Sequence, residues 1–347
     1  MTTTEGESRC LGAFIVALSQ ACEGGKKRWY TSTLELHLMS LNFCKECRSV
    51  PTLHVRVDDQ SPHSLWQAVS DARSSGTGIS SRVPTVRALS LIWAFPVEVL
   101  QSAAIALWKW SEYLEVRTTL SATGLQSVVW PRGLKYLVLA TDLEISIEAV
   151  AWPASLRRLR LAQAFNQPIV GVVWPTALQQ LSLGGREFNQ PIVGAVWPAS
   201  LQQMSLGESF DQPIVDVAWP ASLQRISFGF NFNQPIVGVV WPAALQRISF
   251  GFNFNQPIVG VVWPASLLKL ELGQDFDQPI NGVVWPASLE QFSVGNSFDQ
   301  PIVGVLWPAS LQRISFGLNF NQPISGMLWP ASLQRFSFGL NFNQPIF

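Results

Sequence analysis

Histidine is nearly absent from this chain: three occur in 347 residues, and none follows His63. Most of the sequence thus has no imidazole to activate a Ser or Cys nucleophile. Charge is scarce as well. Lys plus Arg is 23 and Asp plus Glu is 23, so the net charge is zero and general polyanion binding is not indicated. Charged residues make up 13% of the chain, and the carboxylates are spread out rather than paired for acid–base work. The HExxH, GxSxG and Walker A motifs are missing; Gly24-Gly25-Lys26 lacks the earlier Gly, and Gly76-Thr77-Gly78 lacks a third. These absences predict a non-enzyme without a cofactor. Cysteine is confined to Cys10, Cys22, Cys44 and Cys47. A disulfide-stapled secreted fold would spread its cysteines, so a reducing, cytoplasmic setting is expected. The lack of any Asn-x-Ser/Thr sequon agrees. The apolar run Cys10 to Leu18 is too short to span a bilayer, and Glu5 and Glu7 precede it where a signal peptide would be basic. No membrane segment is expected elsewhere.

What is abundant is repetition. The hydrophobic fraction is 48%, which excludes a mostly disordered chain, and fifteen Trp stand beside three Tyr. Trp130, Trp152 and Trp174 are 22 residues apart; Trp197, Trp219, Trp241, Trp263, Trp285, Trp307 and Trp329 continue the period. The single 23-residue step, Trp174 to Trp197, places its extra residue in Gly184-Gly185-Arg186-Glu187. In the unit that starts at Trp219, Ile226-Ser227-Phe228 alternates apolar and polar, which predicts a short strand with one buried face. Gly229 ends it, and Pro220 and Pro235 exclude a helix or central strand at their positions. One such unit cannot bury its apolar face alone; stacked units make a continuous core. The strands then form a parallel sheet that advances about 4.8 Å per coil.

Three interior columns follow from this register: the Trp column, a Phe column from Phe165 to Phe342, and an Ile column from Ile169 to Ile346. Two polar columns accompany them. Asn231, Asn253, Asn319 and Asn341, with Ser209, Asp275 and Ser297 in other copies, are expected to bond the backbone of adjacent coils. Asn166, Asn189, Asn233, Asn255, Asn321 and Asn343, with Asp211, Asp277 and Asp299, stand two residues before Pro and read as turn formers.

Leu223, Ile226, Phe228 and Asn231 nearly fit the leucine-rich repeat pattern, with Phe232 directly after Asn231 rather than two beyond it. Around them, Phe-Asn-Gln-Pro-Ile followed by Trp-Pro-Ala-Ser-Leu resembles the FNIP repeat, a 22-residue leucine-rich repeat variant. The usual unit there has Leu-Pro-x-Ser-Leu; here Trp replaces the first Leu. The Phe-Asn-Gln-Pro string is also similar to BspA-type leucine-rich repeats. The resemblance covers about residues 130–347. It implies a leucine-rich-repeat-like solenoid with a parallel β-sheet on its concave face and irregular Pro-rich turns on the return. It also implies protein binding, and no chemistry.

Toward the N-terminus the repeat decays. Leu137 to Leu139, Leu114 to Val116, Leu89 to Leu91, Leu53 to Val57 and Leu34 to Leu38 read as degenerate strands. The expected division is an irregular region over residues 1–83 with a Ser/Gly-rich loop at 70–81, degenerate repeats or a cap over 84–129, and tandem repeats over 130–347. Cys44-Lys45-Glu46-Cys47, with His37, His54 and His63 nearby, would supply four zinc ligands, but no second CxxC exists; ordinary thiols are the simpler reading. Phe95-Pro96-Val97-Glu98-Val99-Leu100 resembles the opening of an F-box. That would make the chain a ubiquitin-ligase substrate receptor and would require three helices over residues 95–130. The competing reading is a degenerate repeat return.

Residues that flank the buried strand positions define the expected binding strip. One column holds Arg158, Gln180, Gln203, Arg225, Arg247, Lys269, Gln291, Arg313 and Arg335. Of these, Arg158, Arg225, Arg247, Lys269, Arg313 and Arg335 are the candidate partner-binding residues. A neighbouring column is mostly Ser and a third mostly Gln, with no apolar hot spot among them. The strip is either a solvated face or a site for a protein partner, acidic or repetitive in character. A repetitive polyanion is the further alternative, while neutrality and the lack of an aromatic column argue against nucleic acid. The sequence stops in mid-repeat at Phe347, from which end-to-end self-association is expected.

Overall fold

The structure is a computed structural model that describes residues 53–57, 89–93, 111–116, 125–126, 128–139, 146–161 and 164–345. The cysteines, the CxxC pair with its nearby His side chains, the 70–81 loop and the Leu34 to Leu38 segment lie outside the described residues. The chain divides into two compact units, residues 1–141 with 151–156, and residues 142–150 with 157–347.

The first unit contains β1 (Leu53–Val57), β2 (Leu89–Trp93), β3 (Ser111–Val116) and β4 (Tyr136–Leu139), each paired in parallel with the next. These coincide with four of the degenerate strands expected from sequence. Strand β3 occupies the middle of residues 95–130 and is hydrogen-bonded on both sides. The three helices of the F-box reading would have to fall over residues 95–130, of which 95–110 and 117–124 lie outside the described residues; the described strand β3 matches the degenerate-repeat reading.

The second unit is regular. Its strands are β5 (Arg158–Arg160), β6 (Gln180–Leu183), β7 (Gln203–Leu206), β8 (Arg225–Ser227), β9 (Arg247–Ser249), β10 (Lys269–Glu271), β11 (Gln291–Ser293), β12 (Arg313–Ser315) and β13 (Arg335–Ser337). Each pairs in parallel with its sequence neighbour, one repeat per step. This is a leucine-rich-repeat-type β-solenoid. The 23-residue step keeps register, with Gln180 opposite Gln203, because its extra residue falls in the Gly184–Gly185 bend beyond β6.

Three tight turns carry each return. In the β8 coil Leu223 N donates to Pro220 O at 3.0 Å, Phe232 N to Gly229 O at 3.4 Å, and Val239 N to Ile236 O at 3.2 Å. Gly238 is the third residue of the last turn and has φ of 90°, the conformation that a type II turn demands.

The Phe column is fully buried from Phe165 to Phe320, with successive rings stacked 5.8–6.2 Å apart in nearly parallel planes. The Trp column stacks behind it, for example Trp219 on Trp241 at 6.2 Å. Burial of Trp174, Trp241, Trp263 and Trp285 removes their faces from any external ligand. Eight indole N–H groups from Trp152 to Trp307 are buried without an acceptor. Each such orphan costs about 1–3 kcal/mol. Burying the indole returns about 4–6 kcal/mol at 25 cal/mol per Å², so the column is net stabilising.

The backbone-bonding role expected of the first polar column belongs to the second. Side chains of the first column bond one another, Asn253 Nδ2 donating to Asn231 Oδ1 at 3.2 Å. Backbone donors are satisfied by the second column. Asn233 Oδ1 accepts from Asn255 N at 2.9 Å and from Gln256 Nε2 at 3.1 Å, both in the following coil. Asp277 Oδ1 does the same for Asp299 N and Gln300 Nε2. Only the acceptor oxygen is used, which is why Asn and Asp interchange in this column. A Ser ladder adds a further tie: Ser266 Oγ donates to Leu245 O at 2.8 Å and Ser288 Oγ to Leu267 O at 2.8 Å.

This acceptor role makes a prediction. Asn233→Asp should alter stability little, because Asp277 and Asp299 already stand in successive coils. Asn233→Ala should cost about 1–3 kcal/mol by orphaning a backbone N–H. Denaturant melts of the two variants would separate acceptor chemistry from local turn propensity.

Candidate interaction face

The outward face of the β5–β13 sheet follows from strand alternation. In β8 the burial pattern is exposed, buried, exposed, so Ile226 enters the core while Arg225 and Ser227 face outward. Pairing aligns Arg158, Gln180, Gln203, Arg225, Arg247, Lys269, Gln291, Arg313 and Arg335 in one column. All six candidate partner-binding residues are thus brought together. They are not equivalent. Lys269 Nζ lies 2.6 Å from Glu271 Oε1 in an ion pair, and Glu290 takes the place of a Gln beside them. Arg225, Arg247, Arg313 and Arg335 are exposed and have no ion-pair partner among the described residues. The column therefore contains two arginine pairs, Arg225/Arg247 and Arg313/Arg335, separated by a neutralised stretch at β10 and β11.

Just past the strand ends runs a column whose chemistry changes from coil to coil. It reads Arg186, Glu208, Phe230, Phe252, Gln274, Asn296, Leu318 and Leu340. Arg186 and Glu208 approach to 4.0 Å on the exposed surface, a contact worth little in water. Phe230 and Phe252 are about half exposed and stack at 4.6 Å with 14° between planes. Beside them a shallow cavity of about 470 Å³ is lined by Ser249, Phe252, Glu271, Gly273, Gln274 and Ser293 among others. Among the described residues no group of three His, Cys, Asp or Glu side chains gathers to hold a metal ion, and no helix is long and apolar enough to cross a membrane.

A family model described as the FNIP repeat matches residues 165–209, 188–231, 232–275 and 254–297. Residues 165–297 are FNIP repeats. Among solved structures, CroV588, described as a novel circular LRR protein, is 39% identical with a TM-score of 0.62. The match covers 68% of this chain and 35% of CroV588, so the chain spans about a third of that protein. An internalin (inlF) from Listeria monocytogenes is 13% identical over 87% of this chain and 88% of its own, with a TM-score of 0.47. No curated protein matches the chain.

The FNIP array departs from the expected strip in one respect. An exposed apolar pair does stand beside the strip, Phe230 stacked on Phe252. A reading confined to strand positions passes over it, because both residues follow the strand-ending Gly. The signal was available: at that one offset the copies carry charged, aromatic, amide and aliphatic residues in turn, whereas the column before it is Gly throughout and the column after it stays polar.

Proposed function

We propose that the FNIP array is a non-catalytic protein-interaction module, working in the cytoplasm, that captures an extended acidic segment of a partner protein on its outward sheet face. The observation that carries this is the composite at β8 and β9. Two register-paired arginines without acidic partners, Arg225 and Arg247, share two coils with the outward-facing Ser227 and Ser249 and the stacked pair Phe230/Phe252. Two like charges one coil apart repel unless an anion bridges them. A carboxylate meets a guanidinium bidentately. An aromatic or aliphatic side chain a few residues along the same segment would rest on the Phe pair, the kind of anchor that dominates interface energetics. A repetitive polyanion is the poorer fit, since Lys269–Glu271 and Glu290 interrupt the positive column.

The test is fluorescence polarisation of the full chain with labelled peptides that place two to four Asp or Glu near a Phe or Trp, beside basic peptides of matched length. Acidic aromatic peptides should bind, and the double variant Arg225→Glu/Arg247→Glu should weaken them by about tenfold or more. Equal binding by the variant, or no preference for acidic peptides, would sink the proposal.

A further inference from the structure

The opposite side of each coil carries an unexplained property. Eight return segments, residues 168–177, 191–200, 213–222, 235–244, 257–266, 279–288, 301–310 and 323–332, contain a single charged residue, Asp216. Their outward positions are apolar. The residue before each Trp is Val173, Val196, Val240, Val262, Val284, Leu306 or Leu328, all 77–87% exposed, with Ala218 in the remaining copy. A second row, Val170, Val193, Val215, Val237, Val259 and Val303, is about half exposed. Pro and Ala positions of the same segments are also largely exposed, for example Pro235 and Ala243.

This area is large. Full burial of a Val or Leu side chain removes on the order of 100 Å² of apolar surface. The two rows together then present roughly 900 Å². A typical monomer's largest apolar patch is about 300–600 Å², and a stable dimer buries about 800 Å² per partner.

We infer that this return face is a dimer interface, and that its occupant is the same face of a second copy, laid antiparallel about a two-fold axis. Three observations favour that occupant. The relief of the face repeats once per coil, so a partner seats side chains along the whole length only if its own relief has that step. The face lacks charge, so a charged protein or an anionic lipid surface finds no complement, whereas two copies meet without burying opposed charges. Two polar exceptions, Asp216 and Asn281, fall in matching places, while Ser325 faces the segment of Val170. With the axis between segments 235–244 and 257–266, the third segment faces the sixth. That sets Asp216 over the segment of the second copy that carries Asn281, whose amide supplies the donors a carboxylate accepts. Two-fold symmetry makes this pairing twice, as an isologous interface requires.

The test is the mass of the full chain in solution, by light scattering and sedimentation from about 1 to 100 µM. A species of twice the 38.4 kDa chain mass is expected. Val240→Lys/Val262→Lys places four ammonium groups beside the axis and should give a folded monomer, its circular dichroism unchanged because both sites are exposed. Asn281→Asp, which opposes two carboxylates, should weaken dimerisation about fivefold or more, while Asn281→Lys should not. A wild-type monomer at about 100 µM, a lysine variant that remains dimeric, or a monomer that floats with neutral phosphatidylcholine vesicles would each overturn the inference. Peptide binding on the sheet face is read separately, so neither result depends on the other.

Discussion

Gly251→Ala should destabilise the solenoid by about 3 kcal/mol or more, through a clash that nothing flexible relieves. A Cβ built on Gly251 lies 1.6 Å from the carbonyl oxygen of Gly229 and 2.4 Å from its carbonyl carbon, both backbone atoms of the preceding coil. The same holds along the column: Gly229 against Gly207 O at 1.7 Å, Gly273 against Gly251 O at 2.1 Å, and Gly317 against Gly295 O at 2.0 Å. These glycines are where successive coils touch backbone to backbone, so a methyl group must push the coils apart. Two controls grade the effect. Gly133→Ala meets nothing within 4 Å and should be near neutral. Gly282→Ala also has room, its nearest neighbour at 3.9 Å, but sits at φ of +85° and should lose about 1–2 kcal/mol to backbone strain alone. Because a repeat array is held by nearest-neighbour contacts, the Gly251 variant should also split the thermal transition, the coils on either side melting separately. A single transition at the wild-type midpoint would show that coil spacing is softer than the backbone contact implies.

Much of this architecture was legible from periodicity. The 22-residue step placed the strands, and Phe, Ile and Trp columns emerged because a residue recurring at one offset in a stacked array must meet its own copies. Gly251 shows the limit. A Gly after a strand reads as a stop signal, and only the backbone of the preceding coil reveals it as a contact point. The Asn columns show the same limit in polar form. The first read as the backbone partner and the second as a turn former, since nothing in a residue's identity tells which of two neighbouring amides faces the next coil's N–H.

The sheet face was legible in outline and not in detail. Six cations at one offset had to lie in one column once the sheet was parallel and in register. That Lys269 is neutralised by Glu271, two residues on and on the same face, was open to the same alternation argument that exposed both. The Phe230/Phe252 pair was harder, because Phe228, Phe230 and Phe232 alternate like a strand with one face. In the structure the strand has ended at Ser227, and the chain then turns between Gly229 and Phe232, so that Phe228 and Phe232 enter the core and Phe230 leaves it.

That divergence leads to the second large effect. Phe254→Ala should cost about 3–5 kcal/mol, the range for emptying a fully buried aromatic site. Phe254 is 0% exposed and packs against Phe232 at 6.1 Å, Phe276 at 6.2 Å and Phe250 at 4.1 Å. The rings above and below are held by their own coils, and the backbone spacing is fixed by strand pairing and the glycine contacts. The gap therefore cannot close by collapse, which places the loss toward the upper end. Phe252→Ala, two residues earlier, removes the same ring from a site 42% exposed and should change stability by less than about 1.5 kcal/mol. Its effect belongs elsewhere: it removes the platform that Phe230 shares, and should weaken acidic aromatic peptides more than acidic peptides without a ring. Urea melts beside peptide titrations of these two variants would distinguish a core aromatic from a binding one. If Phe252→Ala loses as much stability as Phe254→Ala, the exposed pair is a structural clamp between coils and not a recognition surface.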